Sequence, residues 1–277
     1  METVRQYYDD RSEKYDAEQR LLYFRVYDEI TWKHTRPLIP RNADARVLDA
    51  AGGTGKWAIP IAQEGPRVVL VDLSRGMLDV TYRKVAQTSL GSRVEIHQGD
   101  ITKLDFDDET FDMVFCDHAL CFVNDMEKAV RELARVLKEG SPIVISAQNR
   151  YPLALSILAS EFEKGARILR GEELFMMQNR VPVHTLCPQE FRGLLERNGL
   201  EVRKMVGKGV VLTSLVLPME RFWTDNYGEA FASNLMKLEI ELSERSDTLA
   251  LAGHIQAIGY RSPRSHAKDT LLAPIMN

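Results

Sequence analysis

At 277 residues, with 44% hydrophobic and 27% charged residues, the chain has an ordinary globular balance and enough length to bury a sizeable core. Its net charge of -4 excludes a global pull toward nucleic acid or acidic membranes, though not a local basic patch. Cys116, Cys121 and Cys187 are an odd, sparse set that excludes a disulfide framework, and no CxxC pair suggests zinc, so no metal site is expected.

The first stretch, Val4 to Leu38, reads as helical and is rich in aromatics: Tyr7, Tyr8, Tyr15, Tyr23, Phe24, Tyr27 and Trp32. Two readings stand for it, an amphipathic pair packed on the main body or a lid whose aromatics close over a ligand. The YYDDRSEKYD stretch is too polar for plain core. From Asp44 a βα alternation begins. Strands are predicted over Arg46–Asp49, Arg67–Asp72, Arg93–Gln98, Met113–Cys116 and Pro142–Ala147, with helices over Lys56–Gln63, Gly76–Gln87 and Asp125–Lys138. Short apolar runs separated by helices predict a parallel sheet covered on both faces, and right-handed crossovers make it doubly wound. Residues 150–185 are rich in Met, Leu and Arg and read as helical without a clear strand. Pro188–Asn198 reads as a helix closed by Gly199, followed by a strand near Glu201–Val206, a helical region over 217–246 and a last strand within Thr248–Tyr260.

The expected organisation is a single domain, 1–277. It comprises a helical lid over 1–40, a cofactor-binding half over 41–149, a helical cap inserted over 150–187 and a C-terminal completion of the sheet over 188–262. Met1 is followed by charged and polar residues rather than an apolar signal core, and the longest apolar runs fall short of the ~20 residues of a membrane span. The expectation is a cytoplasmic protein without membrane insertion.

The chemistry concentrates in Val47-Leu48-Asp49-Ala50-Ala51-Gly52-Gly53-Thr54-Gly55 and the following Val68-Val69-Leu70-Val71-Asp72. Glycines let the backbone pass close to a ligand, and an acid at the tip of the next strand can accept from two ribose hydroxyls. Gly53-Thr54-Gly55-Lys56-Trp57-Ala58 also satisfies the GxGxxA form of a dinucleotide fingerprint. A phosphate loop fails, because Trp57 stands where Ser or Thr should ligate magnesium. Asp49 argues against a pyrophosphate in the loop and for a cofactor carrying an ammonium group. Gly99-Asp100-Ile101, at the end of the third strand, can read an adenine edge. Asp117 follows the fourth strand. Because ligands in open α/β sheets sit outside the carboxyl ends of the strands, Asp49, Asp72, Asp100 and Asp117 are expected on one rim.

With VLDAAGGTG, VDLSRGML, QGDITKLDF, ETFDMVFCDHAL and ELARVLKEGSPIVIS in this order, the chain resembles the class I S-adenosylmethionine-dependent methyltransferases over about residues 44–148. The resemblance implies a seven-stranded, mostly parallel α/β sheet of Rossmann-like type and S-adenosylmethionine as cofactor. It places Asp49, Ala51 and Gly53 at the methionine end and Asp72 on the ribose. Leu73 and Met77 would lie against sugar and adenine, with Asp100 and Ile101 on the adenine edge. Asp117 and His118 would flank the donor methyl, and Tyr15 occupies a lid position that touches the cofactor. Ala51 stands where the family has a glycine; an alanine there should keep an ordinary φ and narrow the room beside the methionine.

A base is needed only if the acceptor arrives protonated. His118, His184 and the N-terminal tyrosines are the candidates, and Arg150 could fix an anionic acceptor. The expected acceptor is a small molecule held under the lid and cap. DAAGGTGKWAI, VDLS and the tail LEIELSERSDTLALAGHIQAIGYR are also similar to tRNA wobble-uridine carboxymethoxy methyltransferases, so tRNA stands as the alternative partner. The lysine cluster expected in a tRNA-binding cap is missing. A noncatalytic cofactor-binding subunit is the third reading.

Overall fold

A computed structural model describes residues 2–158, 160–177, 181–216 and 228–263. Two helices come first, α1 (Glu2–Glu18) and α2 (Leu22–Thr35). The alternating half follows as β1 (Arg46–Ala50), α3 (Ala58–Gln63), β2 (Arg67–Asp72), α4 (Arg75–Ala86), β3 (Val94–Gln98), β4 (Met113–Cys116), α5 (Met126–Val136) and β5 (Pro142–Gln148). The remainder holds α6 (Arg150–Leu158), α7 (Phe162–Arg170), a hairpin of β6 (Phe175–Met177) and β7 (Val181–Val183), α8 (Pro188–Glu196), β8 (Leu200–Lys208), α9 (Val210–Val216), α10 (Glu229–Ser243) and β9 (His254–Arg261).

The main sheet has seven strands in the order β3-β2-β1-β4-β5-β9-β8. β1 to β5 run parallel, while β9 pairs antiparallel with both β5 and β8. Order reverses between β1 and β4, so the carboxyl ends of these two strands open a crevice at the switch point. Alternate residues explain the double winding. Leu48 and Val114 pack with Leu133 and Phe191 of α5 and α8, whereas Val47, Leu70 and Phe115 pack with Ile61 and Leu78 of α3 and α4. A third cluster sets Val26, Tyr27 and Ile30 of α2 against Val206, Leu212 and Leu235, which fixes α2 over the antiparallel half.

Two sequence expectations change here. The insertion after β5 is helical only through α7 and then turns back as a two-stranded antiparallel sheet, Phe175 facing Val183 and Met177 facing Val181. Strands this short carry too few alternating residues to stand out from a helical run. The last strand starts at His254 rather than in the Thr248 region, because Leu249–Leu251 forms a 3₁₀ turn first. Of the helical region expected over 217–246, α10 covers 229–243 and residues 217–227 lie outside the described residues.

Candidate active site

Two adjoining clefts lie at the carboxyl edge of the parallel strands. The first, about 710 Å³, is lined by Asp72, Leu73 and Met77 from β2 and α4, and by Asp100 and Ile101 after β3. Tyr8 and Tyr15 of α1 cover it. The second, about 550 Å³, is lined by Asp49, Gly52, Thr54 and Lys56 from the glycine turn, by Trp57, and by Phe24, Tyr27 and Asp28 of α2. Tyr15, Ala51, Gly53, Asp117 and His118 belong to both walls. Every residue expected around the cofactor therefore faces one cleft or the other. Met77 is both core and wall, being 2% exposed.

Asp72 organises the glycine turn from below. Its Oδ2 accepts the Gly53 N–H at 2.9 Å and its Oδ1 accepts the Ser74 N–H at 2.8 Å. Burial raises its pKa, and these backbone donors pull against the rise. Ligand approach is built into the turn: a Cβ at Gly53 would meet nothing within 4 Å, whereas one at Gly52 would press on Asp49 Oδ2 at 2.7 Å and on Leu70. Ala51 departs from the expected ordinary φ, since its φ is +59°. The turn demands left-handed backbone, and the chain accepts the steric cost of about 1–2 kcal/mol at an L-residue. Ala51→Gly relieves that cost but adds glycine's unfolded-state freedom. A net gain of about 0.5–1 kcal/mol and a Tm rise of roughly 1–4 °C are expected in a ligand-free melt; an unchanged or lower Tm means the turn carries no strain there.

Asp49 is 1% exposed, and its Oδ2 has no hydrogen-bond partner among the described residues. Burial, then the neighbouring Asp72 and Asp117, push its pKa up to about 8. An unpartnered buried carboxyl at a cleft wall calls for a cationic donor from the ligand side.

Beyond β4 the chain turns sharply. His118 has φ +54°, and its N–H donates to Ser146 Oγ at 2.9 Å. Ser146 Oγ in turn donates to Asp117 Oδ1 at 2.6 Å, and Lys208 Nζ donates to the same oxygen at 2.6 Å. Lys208, with the Ser146 hydrogen bond, holds Asp117 well below the usual carboxylate range against its burial. The His118 ring stacks on His254 at 4.0 Å, and the edge of Tyr27 closes on both. Burial lowers the His118 pKa to about 3, so its imidazole is neutral at physiological pH. Burial also raises the phenols of Tyr8 and Tyr15, which keeps them protonated. Lys208, Ser146 and His254 escaped the sequence reading, which had Tyr27 only as one of the lid aromatics. The signal for Lys208 was present as a lysine bracketed by Gly207 and Gly209 in an apolar run.

The N-terminal segment divides its residues by face. Val4, Tyr8 and Tyr15 look into the clefts, and Tyr8 meets Phe122 edge-on at 5.6 Å across the first of them. Asp9, Glu13 and Asp16, spaced along one side of α1, latch onto the body. Asp9 Oδ1 accepts from Ser74 Oγ at 2.5 Å and from the Gly76 N–H at 2.9 Å, at the positive end of α4. Asp16 takes Thr54 Oγ1 at 2.6 Å and Lys84 at 2.7 Å, and Glu13 pairs with Arg83. Two other candidates lie elsewhere. His184 lines neither cleft; its N–H donates to Cys121 O from the residue after β7. Arg150 spends its guanidinium on Glu190 and Thr185 O, tying α6 to α8.

A cleft with a ribose-ready acid at β2, an adenine-edge acid after β3 and an unpartnered carboxyl under a glycine turn fits a nucleoside bearing a cationic amino acid. The fold and this site define a nucleoside-type cleft of the doubly wound class. Residues 48–145 match the methyltransferase domain family, which supports the resemblance to the class I S-adenosylmethionine-dependent methyltransferases. It is 36% identical to the demethylmenaquinone methyltransferase of Clavibacter sepedonicus over 171 residues, covering 61% of this chain and 62% of that protein. It is 35% identical to the ubiquinone/menaquinone biosynthesis C-methyltransferase of Idiomarina loihiensis, over 48% of this chain and 53% of that one. The chain thus spans about half to three fifths of the length of the curated relatives it matches. Among solved structures it is similar to a chain of the Haloferax volcanii complex between the Trm112 methyltransferase activator and a methyltransferase (TM-score 0.63, 17% identity, 95% of this chain and 99% of that one). It is also similar to the geranyl diphosphate C-methyltransferase of Streptomyces coelicolor A3(2) (TM-score 0.58, 14% identity, 84% and 79%). At these identities the structural likeness speaks for the fold.

Proposed function

We propose that the protein transfers a methyl group from S-adenosylmethionine to a flat, largely apolar small molecule of the quinone type. The observation that carries the reading is the meeting of the two clefts at Tyr15, Ala51, Gly53, Asp117 and His118, beside a wall of Phe24, Tyr27, Trp57 and Phe115. Bound there, S-adenosylmethionine supplies an electrophilic methyl on a sulfonium, which one displacement moves to the acceptor, leaving a neutral thioether. The protein's part is placement and exclusion of water. Asp72 and Asp100 hold the nucleoside, Asp49 anchors the ammonium, and α1 closes the top. His118 presents a neutral imidazole at the meeting point, held by burial as a hydrogen-bond partner for the acceptor rather than as a base, while His184 stands away from it. Aromatic walls suit a flat ring, and relatives named for demethylmenaquinone share the core.

The tRNA alternative is disfavoured by charge. Beside the clefts, the side of α1 that latches onto the body carries Asp9, Glu13 and Asp16, and a polyanion needs a surplus of lysines and arginines at that mouth. The test supplies methyl-labelled S-adenosylmethionine with a reduced demethylmenaquinone and, separately, with bulk unmodified RNA. Label is expected in the quinone fraction. Label in RNA alone overturns the acceptor class, and calorimetry showing NAD but not S-adenosylhomocysteine bound overturns the cofactor.

A further inference from the structure

Lys208 is 0% exposed, yet it carries a charge into the centre of the molecule. The backbone beside it makes room for the Tyr27 ring that packs near it. Gly209 has φ +71°, and a Cβ there would collide with the Tyr27 ring at 2.5 Å. The side chain runs from the end of β8, an edge strand of the antiparallel half, to the turn after β4. Its Nζ donates to Asp117 Oδ1 at 2.6 Å and to Thr31 Oγ1 of α2 at 3.2 Å, and it lies 5.9 Å from the centre of the Tyr27 ring. A buried ion pair is a poor way to gain stability, because desolvation consumes most of the attraction. Its location is informative. Asp117 borders both clefts at their shared edge, and the same carboxylate oxygen, through Ser146 Oγ, fixes the left-handed turn at His118.

We propose that Lys208 is a positioning residue of the methyl-transfer site: by pairing with Asp117 it neutralises the one carboxylate at the junction of the two clefts and locks the His118 turn. The inference rests on the methyltransferase reading and deepens it. A free Asp117 carboxylate at the junction would act as a counter-charge and hold a sulfonium in its ground state. That added grip would be lost as the charge disappears in the displacement, and so would slow it. Paired to Lys208, Asp117 instead serves as a fixed hydrogen-bond acceptor. Asp49, nearby on the second wall, remains the carboxylate left for the ligand's ammonium.

The test compares affinities for cationic S-adenosylmethionine and neutral S-adenosylhomocysteine, measured by calorimetry on the full chain at pH 8.5. Lys208→Met is expected to shift the affinity ratio toward S-adenosylmethionine by at least about fivefold, as an unmasked charge should. Lys208→Arg, which keeps the charge, is expected to retain the wild-type ratio. Asp117→Asn, nearly isosteric and therefore the safeguard if Lys208→Met does not fold, leaves the ammonium unpaired and is expected to shift the ratio the other way by a similar factor. Ratios within about twofold of wild type in whichever of these two variants is folded overturn the proposal, since a purely structural ion pair changes both affinities together. Wild-type binding is the separate control. If neither ligand binds the unaltered chain, the cofactor reading fails rather than the role of Lys208.

Discussion

Asp72→Ala is expected to weaken S-adenosylhomocysteine binding by at least about thirtyfold, the largest loss of any single change at the nucleoside end. The reason is double use of one carboxylate. Oδ2 holds the Gly53 N–H and Oδ1 the Ser74 N–H, so Asp72 ties the glycine turn to the start of α4 before any ligand arrives. Hydrogen bonds to a charged acceptor are each worth about 1.5–3 kcal/mol. Each oxygen retains a lone pair for a ribose hydroxyl. Alanine removes the ribose acceptors and lets both loops relax, and a differential loss of about 2 kcal/mol corresponds to roughly thirtyfold. Asp72→Asn keeps one acceptor but sets an amide N–H₂ against a backbone N–H, so an intermediate loss is expected. Calorimetry on both variants, with a ligand-free melt to confirm folding, reads the effect. An Asp72→Ala affinity within about threefold of wild type means the ribose is held elsewhere.

How much of this was legible follows from how each residue announces itself. β1, β2, β4 and β5 are buried on both faces, so Val47-Leu48, Val68-Val69-Leu70-Val71 and Ile143-Val144-Ile145 read as unbroken apolar runs. The acids at their tips inherit their position from the strands, and Asp49, Asp72, Asp100 and Asp117 gather as the alternation requires. The partners that give these acids their chemistry come from far along the chain. Lys208 lies 91 residues from Asp117, and Thr213 meets Tyr27 across 186 residues; no local pattern pairs them. The antiparallel half hid its polar interior in the same way. His254 and Gln256 sit buried in β9, where the edge of Tyr27 from α2 closes on the His254 ring. Ala51 shows the reverse case. Its identity argued for ordinary backbone, and the turn after β1 holds it at φ +59° regardless. In α1 the composition was legible and the partition was not: which of its acids latch and which of its tyrosines face inward depends on where α4 lies.

Cofactor binding is expected to release close to one proton per ligand at pH 6.5, through Asp49. In the ligand-free protein the carboxyl is buried beside Asp72 and Asp117, which pushes its pKa up to about 8 from the ordinary aspartate value of 3.8. The sign follows directly. Between about pH 4 and pH 8 the folded ligand-free chain binds one more proton than the unfolded chain, so its stability falls as pH rises through that window. A ligand ammonium placed on Oδ2 favours the carboxylate and expels that proton. Affinity for S-adenosylhomocysteine should therefore rise with pH, by up to about tenfold per unit, and level off above about 8. Asp49→Asn keeps the shape and the buried volume but cannot ionise. It should bind no better at pH 8.5 than at pH 6.5 and should release no proton, and at pH 6 it should approach the wild type, whose Asp49 is by then protonated. Binding enthalpies in two buffers of different ionisation enthalpy measure the proton count. Equal enthalpies for the wild type at pH 6.5 mean that binding expels no proton from Asp49, and the coupling between its ionisation and the ligand's ammonium is then absent.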